Sequence, residues 1–332
     1  MSTSVDGAET PSSAQLREMY LTMKTITLAD DRLREEVRAG GLNATFYPVR
    51  GLEAVCAAMG VVLRRTDYLV STYRNLGDAV AKGASLDAIV AEAYGRITGT
   101  SKGKGGPMHL QDLEVGFMMT TGIVGSGLPI ATGLGLASQL DGIDRVTLVT
   151  FGDGATSIGA FHEAMNLAAL WRLPVVFLCQ NNGWAEHTPV AEYAANPDFA
   201  GRAGGYGVTA YSVDGFDPVA TWNTLRSAVD AVRAGGGPAF VECRTYRLSG
   251  HTGATDYSYM PATDFDAALA RDPAPSFRAW LLERGEVDEA AAQEIDERAA
   301  ALVNGAFEFA KSSPPPEPAE MFTDVFAMTA GV

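Results

Sequence analysis

No run of about 18 uncharged apolar residues, the length a membrane-crossing helix needs, occurs in the chain. The opening segment MSTSVDGAETPSSAQ lacks the basic end and apolar middle of a secretory signal. Both absences point to a cytoplasmic protein with no membrane association. Cysteine is scarce: Cys56, Cys179 and Cys243 form no CxxC or metal-ligand spacing, and the last two lie in apolar, strand-like runs, as buried free thiols do. Basic residues are outnumbered, 25 against 40 acidic, for a formal charge of −15. That balance argues against a nucleic-acid partner and suits a basic protein segment. Internal repeats, low-complexity blocks and interior linkers are also missing.

What the 332 residues do contain is an ordinary globular mixture, 47% hydrophobic and 20% charged, long enough to bury a substantial core. Residues 13–40 and 51–65 carry apolar positions at helical spacing. From residue 118 the character changes to glycine-rich turns, short β-branched runs and intervening helices. VTLVTF (146–151), VVFLCQ (175–180) and AFVECRTY (239–246) read as buried parallel strands. Strands alternating with helices predict an α/β fold with a parallel central sheet flanked by helices. The expected layout is a disordered or extended stretch over 1–14, one α/β domain over 15–311 and a Pro/acid-rich tail over 312–332, marked by SSPPPEPAEMF.

In such sheets ligands bind at the carboxyl ends of the strands. GDG follows one strand directly and QNN the next, so Asp153 and Asn182, about thirty positions apart, are presented at one edge. Gly152 and Gly154 permit a tight turn and close approach to a ligand, and a helix over about residues 157–171 points its amide-rich end at the same crevice. A diphosphate is favoured there. A carboxylate, an amide oxygen and a backbone carbonyl are hard ligands suited to magnesium or calcium. Taken alone, GDG also reads as an ordinary strand-to-helix turn and NN as a polar loop; the pair on consecutive strands is the narrower signal.

With its flanks, GAFHEAMNLAALWRLPVVFLCQNNGW, the GDG…NN segment resembles the alpha subunit of the first component of 2-oxo acid dehydrogenase complexes, the pyruvate, branched-chain and acetoin dehydrogenase family. The likeness runs from about residue 15 to 328. It implies a thiamin diphosphate-binding fold, with Mg2+ held by Asp153, Asn182 and the carbonyl of Trp184, and with the amides of Gly154 and Ala155 meeting the diphosphate. By the same resemblance, Tyr73 and Arg74 in STYRNLG contact the phosphates, as does Arg247 in TYRLSGHTGATD, where His251 matches the active-site histidine. Gly122 and Val124 in TGIVGSGLP match residues that hold the aminopyrimidine, and GKGGPMHL (103–110) matches a glycine-rich surface segment. His109 and His162 read as structural.

The resemblance implies an enzyme, a thiamin diphosphate-dependent oxidoreductase that cleaves a carbon–carbon bond and reductively acylates a lipoyl group. The chain accounts for one of the two modules such sites need, so a beta subunit is expected, in an α2β2 heterotetramer serving a lipoyl-carrying acyltransferase. Four positions depart from the pattern and mark the substrate side. Tyr47 and Leu76 stand near positions where the family has histidines, and Ala185-Glu186-His187 follows NNGW where an apolar residue near the cofactor ring is usual. Glu186 and His187 are either a polar anchor for a hydroxylated substrate or a solvated loop pair. Two other readings follow: transketolase-like transfer of a two-carbon ketol unit to an acyl-carrier protein, and a non-catalytic paralogue.

Overall fold

The computed structural model describes residues 9–325. Six parallel strands form the central sheet: β1 (Tyr68–Thr72), β2 (Phe117–Thr121), β3 (Thr147–Gly152), β4 (Val175–Asn181), and, beyond a small antiparallel ribbon of β5 (Trp184–Ala185) and β6 (Thr188–Pro189), β7 (Thr209–Asp214) and β8 (Ala239–Arg244). Their order across the sheet is β2-β1-β3-β4-β8-β7, and every pairing is parallel. The chain leaves β1 for β2 on one side, then returns to place β3 on the other. Connections therefore diverge between β1 and β3, which opens a crevice at their carboxyl ends.

Alternation along the strands explains why both faces must be covered. Leu148, Val176 and Leu178 point into one apolar cluster, and Val149, Phe151, Val175, Phe177 and Cys179 into the other. The first cluster is built with α1 (Ser13–Arg38), α2 (Glu53–Val62), α3 (Leu76–Lys82) and α4 (Leu86–Ala93). The second takes α5 (Gly127–Leu140), α6 (Gly159–Trp171) and, after the four-residue turn α7 (Val190–Tyr193), α8 (Phe199–Gly204). The first face is completed by α9 (Pro218–Ala231), and beyond the short α10 (Ala262–Leu269) by α11 (Pro273–Glu283) and α12 (Glu289–Ser312). Local chemistry sets several of these starts. Ser12 and Gln15 form a capping box at α1, and Asp217, followed by Pro218 in the first turn, caps α9. All three cysteines are buried free thiols.

Two loops bear on the site. The glycine-rich segment after α4 wraps round a buried carboxylate: Glu92 accepts hydrogen bonds from the amides of Ser101 (2.7 Å), Gly103 (2.9 Å), Gly105 (2.8 Å) and Gly106 (2.9 Å). Its amides are thus occupied by an internal anion. Beyond α12, a 3₁₀ turn over Pro318–Phe322 lies back on this segment, where Lys102 and Lys104 pair with Glu320 and Asp324.

The other loop carries Tyr47 to the carboxyl edge of the sheet. It is anchored by Asp30, which accepts from the amide of Val49 (2.6 Å), and turns at Gly51. There φ is +96°, and a Cβ would stand 2.1 Å from the carbonyl oxygen of Tyr246. Only glycine fits. Gly51→Ala should cost about 2–3 kcal/mol, the cost of forced left-handed backbone plus the displaced loop, read as a lower midpoint in urea unfolding.

Candidate cofactor site

A cavity of about 450 Å³ opens at the carboxyl ends of β1, β2, β3 and β4. Three short segments furnish its walls because each leaves a strand at that edge: Tyr73 and Arg74 after β1, Gly122 to Gly125 after β2, and Gly152, Gly154 and Ala155 after β3. Gln180, Asn182, Trp184, Ala185 and Glu186 come from the end of β4 and its ribbon; Arg247 and His251 follow β8, and Tyr47 arrives on the Gly51 loop. Register ties the two motif turns together, since Gly152 faces Gln180 across β3 and β4. The helix after GDG begins later than its sequence implies: Asp153–Ser157 forms a 3₁₀ turn and α6 starts at Gly159. Gly154 is packed so closely that a Cβ would lie 2.8 Å from that of Ala185.

Charge is distributed unevenly. Arg74 and Arg247 are 8% and 2% exposed, and their hydrogen-bond partners are neutral. Arg74 donates to the carbonyls of Pro48 and His251, the latter at 3.2 Å. Arg247 donates to the carbonyl of Glu186 and the hydroxyl of Tyr259, each at 2.5 Å, and approaches Nδ1 of His251 at 3.5 Å, while its Nε has no partner. Burial and the neighbouring Arg247 charge pull Arg74 down to about 10. Uncompensated charge out of water is costly, so the pair is arranged for an anion.

Asp153 is fully buried. Its Oδ1 accepts from the amide of Asn182 (3.1 Å) and its Oδ2 from the hydroxyl of Tyr193. Burial holds this carboxyl above the usual range, and no cation pairs with it among the described residues. The side-chain oxygen of Asn182 accepts from the amide of Trp184 (3.1 Å), closing the NN turn.

Beneath the floor lies a second buried carboxylate, Asp78, reached by Ser71 (2.6 Å), Thr150 (2.6 Å), Gln180 (2.9 Å) and the thiol of Cys56 (3.3 Å). It cross-links β1, β3 and β4 under the cavity and is pushed up by burial. Sequence reading passed over Asp78, Gln180, Tyr193, Arg202 and Tyr259. Of these only Gln180 had a local signal, its position immediately before NN.

Most of the expected site residues converge: Tyr73, Arg74, Gly122, Val124, Gly154, Ala155, Asn182, Trp184, Ala185, Arg247 and His251 all line the cavity, with Asp153 just behind it. Tyr47 lines it too, its ring 4.4 Å from that of Tyr73 and 5.2 Å from that of His251. Leu76 does not. It is the first residue of α3, and the helix turns its side chain into the apolar cluster. Glu186 and His187 are both exposed, yet Glu186 lines the mouth and the His187 ring lies 4.4 Å from Tyr259. His162 is on the outer face of α6, bonded to Tyr206, and His109 approaches Gly122 at the rim.

A profile of the dehydrogenase E1 component matches residues 21–319. The chain belongs to the dehydrogenase E1 component family. The alpha subunit of an acetoin:2,6-dichlorophenolindophenol oxidoreductase from Bacillus subtilis (strain 168) is 37% identical over 309 residues, 93% of this chain and 92% of that protein. Its counterpart from Cupriavidus necator is 35% identical over 97% of this chain and 98% of that protein. A pyruvate dehydrogenase E1 component subunit alpha from Rhizobium meliloti (strain 1021) is 37% identical over 92% of this chain and 88% of that protein. E1 membership implies thiamin diphosphate as cofactor and an oxidoreductase as activity class, and the alpha-subunit relatives imply a beta-subunit partner. Among the described residues no helix is long and apolar enough to cross a membrane.

Within this cavity, burial, Arg74, Arg247 and His187 together pull His251 from 6.5 down to about 3. The folded chain therefore keeps the imidazole neutral where the unfolded chain takes up a proton. Stability is unaffected above about pH 6.5 and is lost as pH falls from there toward 3. His251→Asn should lose less stability than the parent between pH 7.5 and 5, as measured by urea unfolding at each pH. Equal losses would mean that the imidazole titrates normally.

Proposed function

We propose that this chain is the alpha subunit of a cytoplasmic thiamin diphosphate-dependent 2-oxo acid or acetoin dehydrogenase, acting in an α2β2 heterotetramer and delivering its product to a lipoyl-carrying acyltransferase. The observation that carries the reading is the pairing of two buried, unneutralised guanidiniums with a buried, unneutralised carboxylate around one cavity at the switch point of the sheet. A polyanion together with a cation completes that arrangement, and neither does so alone.

Arg74 and Arg247 would take the diphosphate oxygens, helped by Tyr73 and the amides of Gly154 and Ala155. Asp153, Asn182 and the carbonyl of Trp184 would hold Mg2+, a donor set with a single protein charge. Among the described residues no cluster of three acidic, histidine or cysteine side chains offers a rival metal site. Such a set suits a hard cation that keeps phosphate oxygens as further ligands. Gly122 and Val124 would hold the cofactor in its bent form, with Ala185 against its ring. Bound thiamin diphosphate supplies a thiazolium carbanion that attacks a carbonyl and stores the electrons of the bond that breaks. His251 contributes a neutral ring. Because Arg247 only donates, Nδ1 accepts, and the ring proton on Nε2 is free to hydrogen-bond an anionic oxygen. Ile123 and Val124, 72% and 48% exposed at the open side of the cavity, support its closure by the beta subunit.

Removal of an inner ligand tests the cofactor assignment. Asp153→Ala, assembled with the beta subunit, should lose metal-dependent thiamin diphosphate binding by isothermal titration while keeping its melting temperature; binding equal to the parent would overturn it.

The mouth favours a second donor class. Glu186 lines it opposite Tyr47, and its negative charge disfavours a substrate carboxylate while offering an acceptor to a hydroxyl. That supports acetoin, or a ketose donor used for ketol transfer to an acyl-carrier protein. A donor screen with an artificial electron acceptor separates the readings. Glu186→Gln should raise kcat/KM for pyruvate about 3- to 10-fold, by removing a charge opposed to its carboxylate, and lower it by a similar factor for acetoin, whose hydroxyl loses a charged acceptor.

A further inference from the structure

The segment that leaves the NN turn comes back over the GDG turn. Its start is tied to the first turn by the amide of Val190, which donates to the carbonyl of Gly183 (3.0 Å). Three residues on, the hydroxyl of Tyr193 at the end of α7 donates to Oδ2 of Asp153. On α8, Arg202 donates through Nη2 to the carbonyl of Thr156 (2.9 Å) and through Nη1 to its hydroxyl oxygen (3.3 Å). Thr156 is fully buried, and its hydroxyl in turn donates to the carbonyl of Asp153 (2.8 Å). The Arg202 guanidinium is itself held over the rings of Phe199 (5.4 Å) and Phe161 (6.0 Å). Asp153 is thus fixed at three points: Oδ2 by Tyr193, Oδ1 by the amide of Asn182, and its own carbonyl by Thr156 under Arg202.

We infer that Tyr193 and Arg202 are positioning residues for the cation that Asp153 binds, Tyr193 setting the direction of the carboxylate and Arg202 the shape of the turn that carries it. The inference rests on the metal reading above and extends it to two side chains outside the cavity. A carboxylate that is free to rotate offers a hard cation many poor geometries and few good ones, and a single-charge donor set has little affinity to lose. One oxygen tied to a phenol leaves the other, with its remaining lone pair, facing the cavity side where Asn182 and Trp184 lie. Arg202 acts on the peptide units rather than the carboxylate. Its two bonds to Thr156 keep the Asp153–Ser157 turn tight, and so keep the amides of Gly154 and Ala155 turned to the same cavity.

The test is Mn2+ binding, read from the free-ion EPR signal, on the chain assembled with its beta subunit in the presence of excess thiamin diphosphate. Tyr193→Phe retains the ring and removes only the hydroxyl; Arg202→Met retains the packing on the two phenylalanines and removes both donors. Each should weaken Mn2+ binding about 10-fold or more, with the melting temperature of the metal-free protein unchanged; in Tyr193→Phe, which leaves the turn's amides in place, thiamin diphosphate affinity at saturating Mn2+ should stay within about 2-fold of the parent. At saturating metal kcat should be that of the parent, with the loss confined to the metal concentration needed. Parent-like Mn2+ affinity in both variants would overturn the positioning role while leaving the metal site standing. Absence of Mn2+ binding in the parent would overturn both. A lowered melting temperature with unchanged Mn2+ affinity would also overturn it, since it marks a purely structural contact.

Discussion

Two guanidiniums held out of water without a counter-ion are the constraint on which the rest of this structure depends. Arg74 and Arg247 reach the cavity from opposite sides of the sheet's switch point, one after β1 and the other after β8, and among the described residues each donates only to neutral acceptors. Packing and these neutral hydrogen bonds have to hold them there. This accounts for the depth of the apolar clusters on both faces and for the buried polar bracing directly below the site. The Asp78 cluster ties three strands together with neutral donors, so the floor is rigid and adds no cation of its own. The net effect is a site charged for a ligand the chain does not itself contain.

Legibility in the sequence follows the range of the interactions involved. β3, β4 and β8 were readable because each is mostly β-branched or apolar, broken in β8 only by Glu242 before its end, as strands buried on both faces tend to be. β1, YLVST, and β2, FMMTT, carry hydroxyl residues and sulfur in place of that signature, since Ser71 serves Asp78 and Thr121 the loop beyond β2. The position of β1 between β2 and β3 is a property of topology, invisible to any local window. Site residues adjoining strand ends were readable for the same reason as the strands. Leu76 lies off the cavity because spacing counts positions, whereas the start of a helix decides which side chain turns inward. Tyr193 and Asp78 act across 40 and 102 positions, to Asp153 and Gln180, and no motif spans those distances.

The glycine-rich segment shows the same limit from the other direction. Its amides form the anion-binding nest that such sequences suggest, but the anion is Glu92 of the same chain. A motif indicates what a backbone can bind and leaves open whether the occupant is a ligand or a side chain. Nothing in the spacing of GKGGPMHL distinguishes the two. The distinction rests on burial and partner identity, which also separate Arg74 and Arg247 from ordinary surface arginines.

Depth and mouth of the cavity are built under different rules, and this determines where chemistry can diverge. At depth, each group is held by several contacts: Asp153 by three, Asp78 by four, Arg247 by neighbours on two loops. A substitution there shifts the partners that share those contacts, and with them the geometry of the cavity. At the mouth, Glu186 and His187 are exposed, and Glu186 sits at φ +55° on the tip of a two-residue ribbon, held chiefly through its backbone carbonyl. Its side chain carries no structural duty, so it can change without cost to the core. The deep end of the cavity is therefore constrained by contacts within the fold, while the exposed residues at its mouth are left free to vary. Family membership accordingly fixes the cofactor and leaves the donor open.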